Sequence, residues 1–137
     1  TTTSSAATIT VSAAPAGVNT VDENTVGSNA ITDSSGTAVA SASVGGEVFL
    51  KAEVTNADSA AHTRWLVTQV KGPDGAVVSA GGINKVQVTL AAGASLTSLV
   101  NFSPSTAGTY TVEVFVFTDL TSPISVADKV TWTFTVS

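Results

Sequence analysis

Ser103-Pro-Ser-Thr-Ala-Gly-Thr-Tyr-Thr-Val-Glu-Val-Phe-Val-Phe-Thr118 decides the fold of this chain. Proline and glycine mark a turn. Behind them Tyr110, Val112, Val114 and Val116 fall on one parity, while Thr109, Thr111, Glu113 and Phe115 fall on the other. A period of two belongs to an extended strand whose successive side chains point to opposite faces. Four large side chains on one parity predict that this face is buried, so the stretch reads as a central strand of a two-layer β-structure.

Strands of the same kind lie on both sides of it. Downstream, Val130, Trp132, Phe134 and Val136 alternate with Lys129, Thr131, Thr133 and Thr135. Upstream, residues 96–102 form a strand that runs into Pro104, and Val86, Val88 and Leu90 form another, joined to it by Ala91-Ala-Gly-Ala94. Gly72-Pro-Asp-Gly75 is a tight turn, with Pro73 pre-set for its first corner and Gly75 free to take positive φ. It makes residues 64–78 a hairpin, with Trp65 and Val67 on one parity and Leu66 and Val70 on the other. Val48, Leu50, Ala52 and Val54 form an inward face opposed by Glu47, Phe49, Lys51 and Glu53, and Asn56-Ala-Asp-Ser59 closes that strand. Counted from Gly45-Gly46 this gives about seven strands and no helix, an all-β antiparallel sandwich.

Gly108, Tyr110 and Val112 together resemble the tyrosine corner of immunoglobulin-like domains, in which the tyrosine hydroxyl ties the start of its strand to backbone a few residues upstream. Val112 stands where an antibody domain has cysteine. Trp65, on the strand after Leu50 and Ala52, takes the place of the tryptophan that such domains pack between their sheets. The resemblance covers residues 45–137 and implies an immunoglobulin-like sandwich with Trp65 in its core. Residues 48–56, Gly72-Pro-Asp-Gly75, Leu90-Ala-Ala-Gly93 and Ala107-Gly-Thr-Tyr-Thr-Val112 also look like adhesion-type modules of prokaryotic surface proteins, such as S-layer-associated proteins and the outer domains of archaeal pilins.

At 137 residues the chain has the size of one domain. It has no cysteine, hence no disulfide framework and no thiolate metal site. Charged residues are 11% of it, against about 25% in an average soluble protein, so threonine and serine make the polar surface, as in exported proteins. A net charge of −5 with five scattered Lys and Arg argues against nucleic acid and anionic membranes as partners. No apolar run approaches the ~18 residues of a membrane helix. A chain without methionine that begins Thr1-Thr-Thr-Ser reads as the product of signal-peptide removal, extracellular or at the cell surface with no membrane insertion of the mature chain, although an excised piece would begin the same way.

Residues 1–44 differ from the rest: Thr, Ser, Ala, Asn and Gly dominate, and no aromatic residue occurs before Phe49. They read as an N-terminal extension to a sandwich at residues 45–137. Within the extension Ala7, Ile9, Val11 and Ala13 alternate with Thr8, Thr10 and Ser12 until Pro15 and Gly17 end the run, which marks an extension strand at residues 6–14. Residues 18–31 carry isolated Val and Ile, Asp33-Ser-Ser-Gly36 is a turn, and residues 37–43 form a short strand. An alternating strand ahead of a cysteine-free sandwich resembles subunits of archaeal extracellular filaments of the donor-strand pilus or thread type, in which the N-terminal strand of one subunit completes the sheet of the next. The cysteine pair of bacterial chaperone-assembled pilins is absent. The resemblance implies a structural subunit that polymerises with copies of itself through Ala7, Ile9, Val11 and Ala13. Two other readings stand beside it: a monomeric surface adhesion or carbohydrate-contacting module whose strand pairs within its own sandwich, and the outer domain of a type IV pilin or archaellin without its N-terminal helix.

Catalytic constellations are missing. His62 stands alone in a polar loop and no Gly-x-Ser-x-Gly occurs, so the expectation is a non-enzyme with no cofactor and no metal. Asp22-Glu23 and Asp33 lack the spacing of a calcium loop and read as solvated acids. Asn101-Phe-Ser103 is the one N-glycosylation acceptor. Lys51 and Lys129 are not placed for the internal Lys–Asn isopeptide bonds of some pilins, because both sit opposite the apolar residues of their strands, in solvent. Phe115 and Phe117 fall on the outer parity of the central strand, either as a contact surface, for instance toward surface glycans, or as a face covered by the first 44 residues.

Overall fold

The computed structural model describes residues 27–137, with side chains from Ala30 onward, and among them seven strands form two antiparallel sheets. One sheet contains β1 (Gly27–Thr32), β2 (Val48–Thr55) and β5 (Ser95–Phe102) in the order β1-β2-β5. The other contains β3 (His62–Lys71), β4 (Ile83–Leu90), β6 (Gly108–Phe117) and β7 (Val130–Val136) in the order β4-β3-β6-β7. The architecture is the all-β sandwich expected from the alternation. Val48, Leu50, Ala52 and Val54 of β2 and Tyr110, Val112, Val114 and Val116 of β6 are buried between the sheets, joined by Leu66, Val70, Val100, Phe102, Phe134 and Val136. Each large side chain so buried contributes about 1.5–3 kcal/mol.

Tyr110 forms the corner its spacing promised. Its hydroxyl donates to the Thr106 carbonyl at 2.9 Å and accepts from the Thr106 N–H at 3.3 Å, fixing the turn ahead of β6. Its ring stacks on Phe134 of the same sheet (5.4 Å, 17°) and meets the edge of Phe102 from the other sheet (5.7 Å, 68°). Gly108 is required just upstream: it has φ 135°, and a Cβ there would lie 2.6 Å from Cγ of Pro73, the corner residue of the 72–75 turn. That turn closes as expected, with the Gly75 N–H on the Gly72 carbonyl at 2.9 Å.

Four expectations about the strands and the core are corrected here. Six strands follow Gly45, and the seventh, β1, comes from the segment read as extension, so the sandwich reaches back to Gly27. With one large apolar residue, Ile31, β1 has no alternation to show; it exists because its backbone pairs with β2 through Ile31↔Leu50 and Thr32↔Phe49. Residues 37–43 are no continuous strand but make two bridges, Thr32↔Ala38 and a parallel Ala42↔Val136. The 64–78 hairpin closes with a single bridge, Lys71↔Val77, and the long partner of β3 on that side is β4.

The last correction concerns Trp65. Leu66, Thr68 and Val70 take the inward parity of β3, so Trp65 points outward, paired with Phe117 and Gln87 and only half-buried. The tryptophan packed against the core is Trp132 of β7, tilted on Phe134 at 6.2 Å.

Glu113 is buried although it lies on the outer parity of β6. It accepts from Gln69 Nε2 at 2.7 Å and pairs with Lys71 Nζ at 3.3 Å and Lys129 Nζ at 3.0 Å, so one carboxylate ties β3, β6 and the approach to β7. Lys129 therefore sits outward as expected, half-exposed, but with its ammonium engaged. The hydrogen bond from Lys129, then those from Gln69 and Lys71, hold the Glu113 carboxyl below its ordinary value, against the opposing effect of burial.

Two measurements check this architecture. Leu66→Ala should cost about 2–5 kcal/mol in urea unfolding, and Trp65→Ala clearly less; the reverse order would put Trp65 back in the core. Because the folded carboxyl of Glu113 is depressed, its contribution is fully present above the unfolded value near 4.5 and is lost as pH falls through the lower folded value. Glu113→Gln should accordingly lower stability at neutral pH and flatten the acid limb of a stability-versus-pH curve, whereas parallel curves for the two proteins would remove this role.

Candidate functional site

Ala7, Ile9, Val11 and Ala13, and with them Asp22 and Glu23, lie outside the described residues. What the sandwich offers a partner is its edges and its outer faces. β1 and β7 border one side of the sandwich, β4 and β5 the other. The first side is occupied by residues 37–44: Val39 N–H bonds the Ile31 carbonyl at 2.9 Å, Ala42 N–H the Thr135 carbonyl at 3.0 Å, and Val44 N–H the Ser137 carbonyl at 3.1 Å.

Along the second side no described segment pairs with either edge. The even-numbered residues of β4 and β5 point between the sheets, and some of them are covered: Leu90, Val100 and Phe102 are buried. Others are not. Val86 is 39% and Leu96 36% exposed, and Val88 is half-buried. An apolar crevice lined by Val54, Leu66, Val88, Leu90 and Val116 opens between the sheets, with Asn56, His62 and Arg64 at its end.

Asn56 sets the geometry of this side. Buried at the end of β2, its Nδ2 faces the carbonyls of Ala60 (2.9 Å), Leu90 (3.0 Å) and Ala91 (3.2 Å), while its own N–H bonds the Ala94 carbonyl at 2.8 Å. One side chain thus staples the β4–β5 connection onto the opposite sheet. His62 is the first residue of β3 rather than a loop residue, and its Nε2 lies 2.5 Å from Asp58 Oδ2. That hydrogen bond, more than any other cause, holds the Asp58 carboxyl below its ordinary value.

On the outer faces, Phe115 and Phe117 lie where parity put them, half-buried, with rings stacked at 5.6 Å and 14°. Register sets Phe117 beside Trp65 and Phe115 beside Val67, so an apolar cluster lies on the outer face of the two central strands, at the end of β6. Asn101 is exposed on β5, its amide donating to Glu47 Oε2. Lys51 is half-buried on the outer parity of β2. Asp33 turns one carboxylate oxygen onto its own turn, accepting from Ser35 N–H (2.9 Å), Ser35 Oγ (2.6 Å) and Thr37 N–H (3.0 Å). Among the described residues no three His, Cys, Asp or Glu gather as a metal site would require.

Solved structures share the fold at low identity. The CARDB domain of a Pyrococcus furiosus protein, solved in complex with di-metal ions, matches with a TM-score of 0.55 at 13% identity over 72% of this chain and 80% of that one. The alkylpurine DNA glycosylase AlkC of Pseudomonas fluorescens, solved bound to DNA containing an abasic site analogue, matches with a TM-score of 0.58 at 12% identity over 85% of this chain. This chain spans only 31% of the glycosylase. Among curated proteins none matches. The model of a family of cell-surface type, S-layer A-like, matches residues 4–135, nearly the full length, and the chain belongs to the S-layer A-like family.

Proposed function

We propose that this protein is a structural subunit of an extracellular filament, without catalytic activity, that polymerises by donating the strand at residues 6–14 to a neighbouring copy. One observation carries the reading: the described residues by themselves assemble both sheets and the tyrosine corner, yet leave one whole side of the sandwich with unpaired edges and uncovered inward side chains. Ahead of that body the sequence supplies a further strand-forming segment with Ile9 and Val11 on one parity. Membership of a surface-layer family agrees with an exported, self-associating protein.

The energetics favour such a joint. Covering Ile9 and Val11 gives about 1.5–3 kcal/mol each, and about five ladder hydrogen bonds give 0.5–1.5 kcal/mol net apiece. Ordering seven residues costs about 1–2 kcal/mol each. The sums are close, so the apolar side chains decide whether the joint holds.

The outward cluster of Trp65, Phe115 and Phe117 favours a second reading, a monomeric adhesion or carbohydrate-contacting module. Negative-stain electron microscopy separates the two. The full chain is expected to form filaments, and Ile9→Asp or Val11→Asp to leave single particles. Filaments that persist with Ile9→Asp, or a full chain that stays monomeric at every concentration, would refute strand donation.

A further inference from the structure

We infer that the acceptor for the donated strand is the free edge of β5, and that residues 6–14 of a second copy dock there to widen the three-stranded sheet. The inference rests on the strand-donation reading and goes beyond it by choosing among four edges. The edge of β1 already accepts Val39, and that of β7 already holds Ala42 and Val44. β4 carries Lys85 in its middle, and a charged lysine on an edge strand is a usual defence against unwanted pairing. β5 has no such defence. Its sequence, SLTSLVNF, contains no charge and no proline, and its register with β2 runs without a bulge from Thr55↔Ser95 to Val48↔Phe102. A long, regular, uncharged edge is a template for another strand.

Among the described residues none pairs with the outer hydrogen-bonding groups of β5. Asn56 N–H bonds the Ala94 carbonyl, and by alternation the even residues of β5 direct their main-chain groups toward β2. Ser95, Thr97, Leu99 and Asn101 therefore direct theirs to the open side. A strand laid on this edge would turn its inward residues toward Leu96 of β5 and, across the gap between the sheets, toward β4, where Val86 is exposed and Val88 half-buried. Residues 6–14 fit in length, against the eight residues of β5, and in chemistry, since Ile9 and Val11 share one parity and the other carries only Ala, Thr and Ser. They carry no charge to desolvate.

The test uses the full chain with Ile9→Asp, which cannot donate, as acceptor for a labelled peptide of residues 6–14, followed by fluorescence anisotropy. Thr97→Pro removes an outward amide of β5 while leaving the bonds to β2, a position where an edge strand tolerates proline. It should weaken peptide binding about tenfold or more, the loss of one or two ladder bonds. Gln87→Pro, the matching change on β4, should leave binding unchanged. Should Thr97→Pro fail to fold, Leu96→Ser gives the same decision through the apolar contact. Binding lost with Gln87→Pro but kept with Thr97→Pro and Leu96→Ser overturns the β5 assignment while sparing strand donation. No peptide binding to the acceptor, together with no filaments from the unaltered chain, overturns both.

Discussion

The hydroxyl of Tyr110 and the ring that carries it hold the sandwich in register. The hydroxyl clamps the Thr106 turn, and the ring lies against Phe134 in its own sheet and Phe102 in the other. β6, the strand that starts there, is flanked by β3 and β7 and places Val112, Val114 and Val116 in the core. Because side chains alternate with a period of two, a slip of one residue at this corner would send Tyr110 and the three valines to the outer face and Thr111, Glu113 and Phe115 inward. The Gly108 and Pro73 contact fixes the same point from outside. Without disulfides, the molecule depends on such packing and on the Glu113 clamp for its geometry.

The surface around this core carries few charges for its size, and some of them have structural roles. Glu113 uses two of the five cations to bind β3, β6 and the approach to β7 across the outer face. Lys85 guards the edge of β4, and residues 37–44 cover the opposite side. Asn56 closes the end of the open side, holding the β4–β5 connection across the gap between the sheets. The remaining edge, β5, is left bare by the described residues in a family whose proteins are of cell-surface type. An exposed regular edge risks indiscriminate aggregation unless a specific strand is meant for it.

Much of this was legible in the sequence. Strong alternation located β2, β5, β6 and β7 to within a residue or two, and Gly108, Tyr110 and Val112 predicted the corner. β1 was hidden because Gly27–Thr32 has one large apolar residue, and its partner β2 is remote in sequence. Trp65 was misplaced because both parities of β3 carry apolar residues, so alternation could not say which faced inward; the cross-strand partner Phe117 decides it. Parity put Glu113 on the outer face, but its burial was not legible, since the cations that engage it come from β3 and from the approach to β7. Phe115 and Phe117 were placed on the outer face by parity alone. The open side was illegible: Val86 and Leu96 look like ordinary core positions, and only the sheet order shows that nothing described covers them.

Docking of a donated strand on β5 is open to direct test by amide hydrogen exchange resolved along that strand, comparing assembled protein with monomer held apart by Ile9→Asp. Docking predicts that the outward amides of Thr97 and Leu99 exchange freely in the monomer and become strongly protected on assembly, while the inward amides of Ser98 and Val100 are protected in both. Equal exchange at Thr97 and Leu99 in the two states, with new protection confined to the Trp65, Phe115 and Phe117 face or to β4, would contradict it.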